Sequence, residues 1–523
     1  MNENRRLSHA WRQYEAGKEY KERIGLYARI RENERFYRGD QWYGSEGVAL
    51  PKPVFNVIRR VVDYLVGSIG RSDVRIGYTD ESLPFRDPAL RASLSEALEV
   101  LSGAAEARWE NDRMDRLVYR VLLDAAIAGD GVLYCYWDPE RRTGQSFTGD
   151  VVTETVDSTN LFVADVNRPD LQSQDYVMLS GRASVRSLYE EAIGNGVPER
   201  EARRIRPDGE YPSGAGDLSR CELSGEENEK ATYLLYFWRE NGTVHFEKST
   251  REVVISRADT GQRLYPVAYF NWTPTKNSFH GTSPISGLIP NQKFINRAYA
   301  MVMKHMQDTA FSKVIYDKSK IPEWSNEVGE AIAAMGGGNI ADAVSVVGVG
   351  QMQDGFVELI RRAIEDTKEL CGATEVALGD ADASNTSAIL ALQESAQIPL
   401  RQVRTAFLQC LEDLGDIWAD MMLAYYPAER LLPTAAGETV RSAEELSVLR
   451  DAVLSARVRA QEQSRFTAAA AQTLLDKLLD GGYITPEEYL RRIPDGAIAE
   501  KDALIALLRE RERQNGGDAD GRE

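Results

Sequence analysis

Four histidines, His9, His245, His280 and His305, are scattered through 523 residues with no spacing that would close on a metal ion. Each reads as a surface or core histidine rather than a catalyst. The four cysteines, Cys135, Cys221, Cys371 and Cys410, form no CxxC pair and lie far apart. Reduced thiols are expected, not a disulfide framework or a zinc knuckle. No Gly-x-x-x-x-Gly-Lys-Ser/Thr string occurs, and Gly336-x-Gly338 and Gly348-x-Gly350 lack the third glycine and the strand-then-helix setting of a dinucleotide loop. Gly281-Thr282-Ser283-Pro284-Ile285 lacks the closing glycine of a nucleophile elbow and reads as a turn before a helix. Asp380-x-Asp382 opens like a calcium loop, but Asn385 stands where the bend glycine belongs and Ala391 where the twelfth-position Glu belongs. It reads as a solvated acidic turn. These residues argue against an enzyme and imply no cofactor and no metal.

Charge is distributed more suggestively. Lys293, Arg297 and Lys304 fall on one side of a helical pattern whose apolar stripe is Ile285, Leu288, Ile295, Val302 and Met306. On spacing alone this face could be solvated, paired with a neighbour's carboxylates, or set against phosphates. Glu323, Glu327, Glu330, Asp342 and Asp354 lie in a stretch, 321–354, that contains no Lys or Arg.

The elements that must position these residues are legible from periodicity. Residues 3–38 repeat apolar marks at Tyr20, Ile24, Tyr27 and Ile30 and predict a helix stopped by Gly39. Asn56 should cap a second helix, buried through Val57, Ile58, Val61, Val62, Leu65 and Ile69. Residues 89–129 read as helical. Period-two patterns follow at 132–137, 151–156, 176–179, 232–239, 243–247, 252–256 and 264–272. A flexible loop is expected at 207–230, so the first 280 residues form an α+β body. After Pro284 the pattern turns mostly helical, with a kink where Pro399 interrupts a helix running from about Thr386 to Tyr426. Ser442 with Glu445, and Thr485 with Glu488, read as capping boxes. The fold class is α+β, mostly helical.

Composition sets outer bounds. Lys and Arg total 63 against 81 Asp and Glu, a formal net charge of −18. That balance argues against a protein held to DNA by bulk positive charge. No window approaches 18 uninterrupted apolar residues, and Met1–Arg12 lacks the apolar run of a secretory leader. The chain is expected in the cytosol that makes it, or in a particle assembled there, and away from membranes.

Several strings, in order, resemble the portal proteins of tailed bacteriophages, particularly the P22-like branch. They are Phe36-Tyr37-Arg38-Gly39-Asp40-Gln41-Trp42 with Leu50-Pro51-Lys52-Pro53-Val54-Phe55-Asn56; then Pro266-Val267-Ala268-Tyr269-Phe270 leading to His280-Gly281-Thr282-Ser283-Pro284-Ile285, Gln292 and Asn296; then Gly372-Ala373-Thr374-Glu375, Leu378-Gly379 and Asn385-Thr386-Ser387; and finally Gly482-Tyr483-Ile484-Thr485-Pro486-Glu487-Glu488-Tyr489. Their joint order spans nearly the whole chain.

The resemblance implies a homo-oligomeric ring, usually of twelve subunits, at one capsid vertex of the virion. Such a ring has wing, stem, clip and crown regions around a channel for double-stranded DNA. It implies a wing at 1–283, a first stem helix at 284–312, a clip at 313–354, a second stem helix at 355–375, a tunnel loop at 376–386, a long kinked channel-to-wing helix at 387–437, a helical crown at 438–510 and a disordered tail at 511–523. The implied partners are the terminase large subunit, the tail adaptor, and the major capsid and scaffolding proteins. Asp380, Asp382, Asn385 and Thr386 would line the tunnel. Lys293, Arg297 and Lys304 would face DNA or the next subunit, and Glu323, Glu327 and Glu330 would face terminase or adaptor. An acidic wall would keep DNA sliding, because repulsion acts over about 8 Å at physiological salt. The alternatives are a metal-dependent nucleic-acid enzyme, or a capsid-linked adaptor that never surrounds DNA.

Overall fold

The computed structural model describes residues 8–44, 50–70, 73–208, 229–309, 314–325, 332–336, 339, 342–346, 355–373, 398–427, 429–433, 439–441, 448–449, 452, 454–461, 474–493, 504–505 and 507. The chain divides into two compact units, Met1–Gly70 with Ile76–Arg457, and Arg71–Arg75 with Val458–Glu523.

The first unit opens on helices α1 (His9–Arg23) and α2 (Leu26–Arg38). Ser8 caps α1 by accepting from Trp11 N, and Gly25, in the left-handed region at φ 67°, separates the two. The single helix expected over 3–38 is thus a broken pair. Helix α3 (Val57–Ile69) begins on the expected cap, the Asn56 side chain accepting from Arg59 N. Strand β1 (Asp73–Asp80) leads to α4 (Pro88–Asn111) and α5 (Met114–Ala128). The helix expected across 89–129 breaks where Arg113 takes φ 52°.

The body is built on two antiparallel sheets. One has the order β3 (Thr148–Thr155), β2 (Asp130–Arg142), β9 (Val267–Asn271). The other runs β4 (Leu161–Val163), β5 (Tyr176–Ser184), β6 (Lys230–Glu240), β7 (Thr243–Ser249), β8 (Val254–Asp259). Helices α6 (Val185–Gly194) and α7 (Glu199–Ala202) lie in the connection between β5 and β6. Val132 and Val267 of the smaller sheet share a core with Val177, Leu179 and Phe237 of the larger one. Burial of this shared apolar face is what sets the strand register, since a one-residue slip would turn every inward side chain outward. Trp11 and Tyr14 of α1 close the other face of the larger sheet against Phe162, Met178 and Leu234. The buried Lys21 ammonium donates to Thr159 O at 2.7 Å and to Leu161 O at 2.6 Å, tying α1 to the chain entering β4.

Helix α8 (Pro284–Thr309) leaves this body. Strands β10 (Val314–Tyr316) and β11 (Val344–Val346) pair antiparallel, Val314 opposite Val346. Helix α9 (Gly355–Glu369) then returns, and Asn291 near the start of α8 donates to Thr367 near the end of α9 at 3.3 Å. Both relations are those of an antiparallel helix pair. A short 3-10 turn over Ile398–Leu400 carries Pro399 into α10 (Arg401–Tyr425), whose Phe407 meets Phe270 edge-on and whose Trp418 donates to Thr153 Oγ1 at 3.0 Å.

One expectation fails here. The region taken as helical over 438–510 carries strands β13 (Thr439–Arg441), paired with β12 (Leu431–Pro433), and β14 (Leu454–Gln461). The physical reason is the approach to α10: a Cβ on Gly415 would lie 2.7 Å from Ala456 Cβ and 2.9 Å from Ile76 Cγ2. An extended strand with the small Ala456 at the point of contact fits that narrow gap. Ala456 N also donates to Asp416 Oδ1 at 2.6 Å. In the second unit, helix α11 (Pro486–Arg492) has the expected capping box, with Thr485 and Glu488 bonded reciprocally at 3.0 and 3.2 Å. The proposed loop core and the Ser442–Glu445 box, at 209–228 and 442–447, lie outside the described residues.

Candidate functional site

The start of α8 is fixed to the body by a buried polar joint. Asp130, at the first position of β2, is 1% exposed. Its Oδ2 lies 2.7 Å from His280 Nδ1, and its Oδ1 accepts from Gly281 N at 2.7 Å and Asn271 Nδ2 at 2.9 Å. Burial alone would lift the Asp130 carboxyl. The hydrogen bonds from His280, Gly281 and Asn271 overcome it and hold the group below the ordinary carboxylate range. Gly129, at φ 101°, and Gly281 approach so closely that a Cβ on Gly281 would sit 2.7 Å from Gly129 O. Ser283 then donates to Ala126 O at 2.5 Å and accepts from Ile285 N at 3.0 Å, opening α8 at Pro284. The string 280–284 is therefore a turn that seats a helix, as its residues suggested.

About two turns later a second network locks α8 to the N-terminal helices. Gln292 Oε1 accepts from Val57 N at 3.0 Å, and its Nε2 donates to Phe55 O at 2.8 Å and to Asn296 Oδ1 at 2.9 Å. Asn296 donates to Gln41 Oε1 at 2.7 Å, and Gln41 donates to Asn56 Oδ1 at 3.0 Å. Trp42 Nε1 donates to Pro53 O at 2.8 Å. Strings separated by more than two hundred residues thus meet in one buried chain of amides. Each member satisfies another, which is what makes such a network specifying rather than costly.

Beside this network lies a cleft of about 550 Å³, lined by Arg31, Arg35, Asp40, Tyr43, Lys293 and Arg297 among others. The Arg35 guanidinium stacks 3.4 Å from the Tyr43 ring centre. Lys293 pairs with Glu32 at 2.8 Å, and exposed Arg297 has no ion pair among the described residues. Arg31, Arg35, Lys293 and Arg297 outnumber Glu32 and Asp40, so the cleft is net basic.

The expected cationic line is therefore divided. Lys293 and Arg297 share the cleft, while Lys304 pairs with Asp308 one turn on at 2.9 Å. Glu323 is exposed near the Tyr316–Trp324 stack. Glu327, Glu330, Asp380, Asp382, Asn385 and Thr386 lie outside the described residues.

Helix α8 also changes character along its length. Ile285, Leu288, Ile289, Ile295, Ala298 and Ala300 are buried, and nothing beyond Ala300 is. Met301, Met303 and Met306 are exposed, Met306 at 60%. In α9 only Ile360 and Thr367 are buried, while Phe356, Val357 and Leu359 are exposed. The far half of the helix pair thus carries exposed apolar side chains.

Residues 239–440 match the family model for phage P22-like portal proteins. The match supports a P22-like phage portal protein. The portal-matching segment runs from the end of β6 to β13 and includes the 280–284 turn, all of α8, α9 and α10, and the exposed apolar face. The strings at 36–42, 50–56 and 482–489 lie outside it. Gln41 and Asn56 nevertheless bond into the portal-matching segment, through Asn296 directly and through the Gln41 link. No curated protein matches the chain. Among the described residues, no three metal-ligating side chains cluster and no helix is long and apolar enough to cross a membrane.

Proposed function

We propose that this chain is a portal subunit, a capsid-associated oligomeric component of a phage virion. Copies close into a ring, twelve in this reading, through which terminase drives double-stranded DNA and from which a tail adaptor later hangs. Its role is structural: guiding and retaining DNA and nucleating capsid assembly with major capsid and scaffolding proteins.

The observation that carries the reading is the uncovered apolar face on α8 and α9. The far half of the pair exposes Met301, Met303, Met306, Phe356, Val357 and Leu359, a density of bare apolar side chains that suits a partner. In a cyclic ring the contact is head-to-tail, so each copy covers its neighbour. On this reading α8 and α9 form the stem, 313–354 the clip, 376–386 the tunnel loop and 438–510 the crown. Lys293 and Arg297, in the basic cleft, then face DNA or the next subunit. Negative-stain images of the purified chain test the reading: annular particles with a central hole are expected, and particles without one would reject it.

A further inference from the structure

We propose that a second cavity, walled by the end of α4, the β2–β3 hairpin and the chain that follows α10, binds a phosphoryl oxyanion. The cavity holds about 230 Å³ and is lined by Arg108, Arg141, Arg142, Arg430, Thr143 and Gln145 among others. Four guanidiniums line it, and among the described residues only Asp112 and Asp150 oppose them in direct ion pairs. The site carries an excess of two positive charges.

Those carboxylates are already fully engaged. Asp150 Oδ2 meets Arg108 Nη1 at 2.6 Å, and its Oδ1 accepts from Arg430 Nη2 at 2.9 Å, Val151 N at 2.9 Å and Tyr426 OH at 3.3 Å. Asp112 Oδ1 meets Arg141 Nη1 at 2.8 Å, and its Oδ2 accepts from Thr153 N at 3.1 Å. Donors remain over. Arg108 is 2% exposed, yet among the described residues its Nη2 has no hydrogen-bond partner. Its Nε, 3.4 Å from Asp112 Oδ2, makes an ion pair but no hydrogen bond. Arg430 is 7% exposed and stacks 3.8 Å from the Tyr426 ring centre, and among the described residues its Nε has no hydrogen-bond partner. Arg142, exposed at the rim, has no ion pair among the described residues.

The charge that Asp112 and Asp150 leave unbalanced, with Arg142 lining the cavity without a carboxylate of its own among the described residues, points to an anion as the occupant of the cavity. Four guanidiniums around one cavity suit an anion with several acceptor oxygens, and a charge excess of two suits a dianion. A phosphoryl group has both properties. It could be carried by free phosphate or by a nucleic-acid backbone.

The test is calorimetric titration of the full chain with inorganic phosphate in chloride buffer at constant ionic strength. Saturable one-to-one binding is expected, weakened about tenfold by Arg142→Gln, which touches no buried ion pair. Absence of saturable binding up to tens of millimolar phosphate overturns the proposal. So does binding unchanged in Arg142→Gln and in Arg108→Lys, each checked for a native melting transition. Competition by a short DNA duplex assigns the phosphoryl group to nucleic acid, and its absence assigns it to free phosphate.

Discussion

Gln292 caps a helix that begins 235 residues before it: its Oε1 accepts from Val57 N at 3.0 Å and from Ile58 N at 3.3 Å. Asn56 takes Arg59 N on the same helix at 3.0 Å. Three of the four orphan amides at the start of α3 are thus satisfied, two of them by α8. Removing the amide in Gln292→Ala would take the acceptor from Ile58 N and one partner each from Val57 N, the Phe55 carbonyl and Asn296. The expected loss is roughly 2–3 kcal/mol of unfolding free energy. Denaturant titration of the full chain measures it.

The turn that seats α8 admits no side chain at its glycine. In Gly281→Ala the new Cβ would meet Gly129 O at 2.7 Å and Asn271 Cβ at 2.8 Å, both parts of the frame. Backbone must shift, and the Asp130 bonds shift with it. A destabilisation of at least about 2 kcal/mol is expected, read as a lowered melting temperature. Gly287→Ala, where a Cβ meets nothing, is the matched control and should melt at or slightly above the parent, since alanine is the better helix former.

Stability should depend on pH through Asp124. Burial, with Asp157 and Glu34 adding and Arg120 opposing, raises its carboxyl from 3.8 to about 7. A group raised on folding contributes stability below its unfolded value and loses that contribution as pH rises through its folded value. The window is therefore about pH 4 to 7. Asp413, raised to about 6 chiefly by burial, acts in the same direction. Asp124→Asn should melt higher than the parent at pH 8, by roughly 1–2 kcal/mol given its partial exposure, and equally at pH 4.

The apolar face on α9 should govern assembly rather than folding. Val357 is 55% exposed and Leu359 51%. Val357→Asp with Leu359→Asp should leave the melting transition of the isolated chain within about 0.5 kcal/mol. The same pair of changes should abolish particles larger than one subunit in sedimentation. Unchanged sedimentation would move the subunit contact elsewhere.

Much of this arrangement was legible in the residues. Asn56 and the Thr485–Glu488 pair announce helix starts because their side chains can reach free amides, and both do so. The sheets were legible because β-branched and aromatic residues alternate over each strand. Strand β14 was not, because Leu, Ala, Arg and Gln favour helices while its extended form is decided by a gap beside Gly415, some forty residues earlier. The breaks at Gly25 and Arg113 fell inside continuous helical patterns. Among site residues, Lys293 and Arg297 were visible as a helical line, but their separation from Lys304 depends on Glu32 and the α2 wall. Arg108, Arg141 and Arg430 carried no signal, since a cluster gathered from three distant segments has no spacing to read. Asp130 had a faint one: an acid between Gly129 and Gly131, directly after an apolar helix, is where a chain turns and a buried carboxylate finds amides.

The central claim is that copies of this chain surround a channel. Light scattering coupled to size exclusion, followed by imaging of the same fraction, tests it most directly. Twelve copies of 58.4 kDa weigh about 700 kDa, and the account predicts annular particles near that mass with an open centre. A species that stays at 58.4 kDa at every concentration, or a larger particle with no central hole, would contradict it.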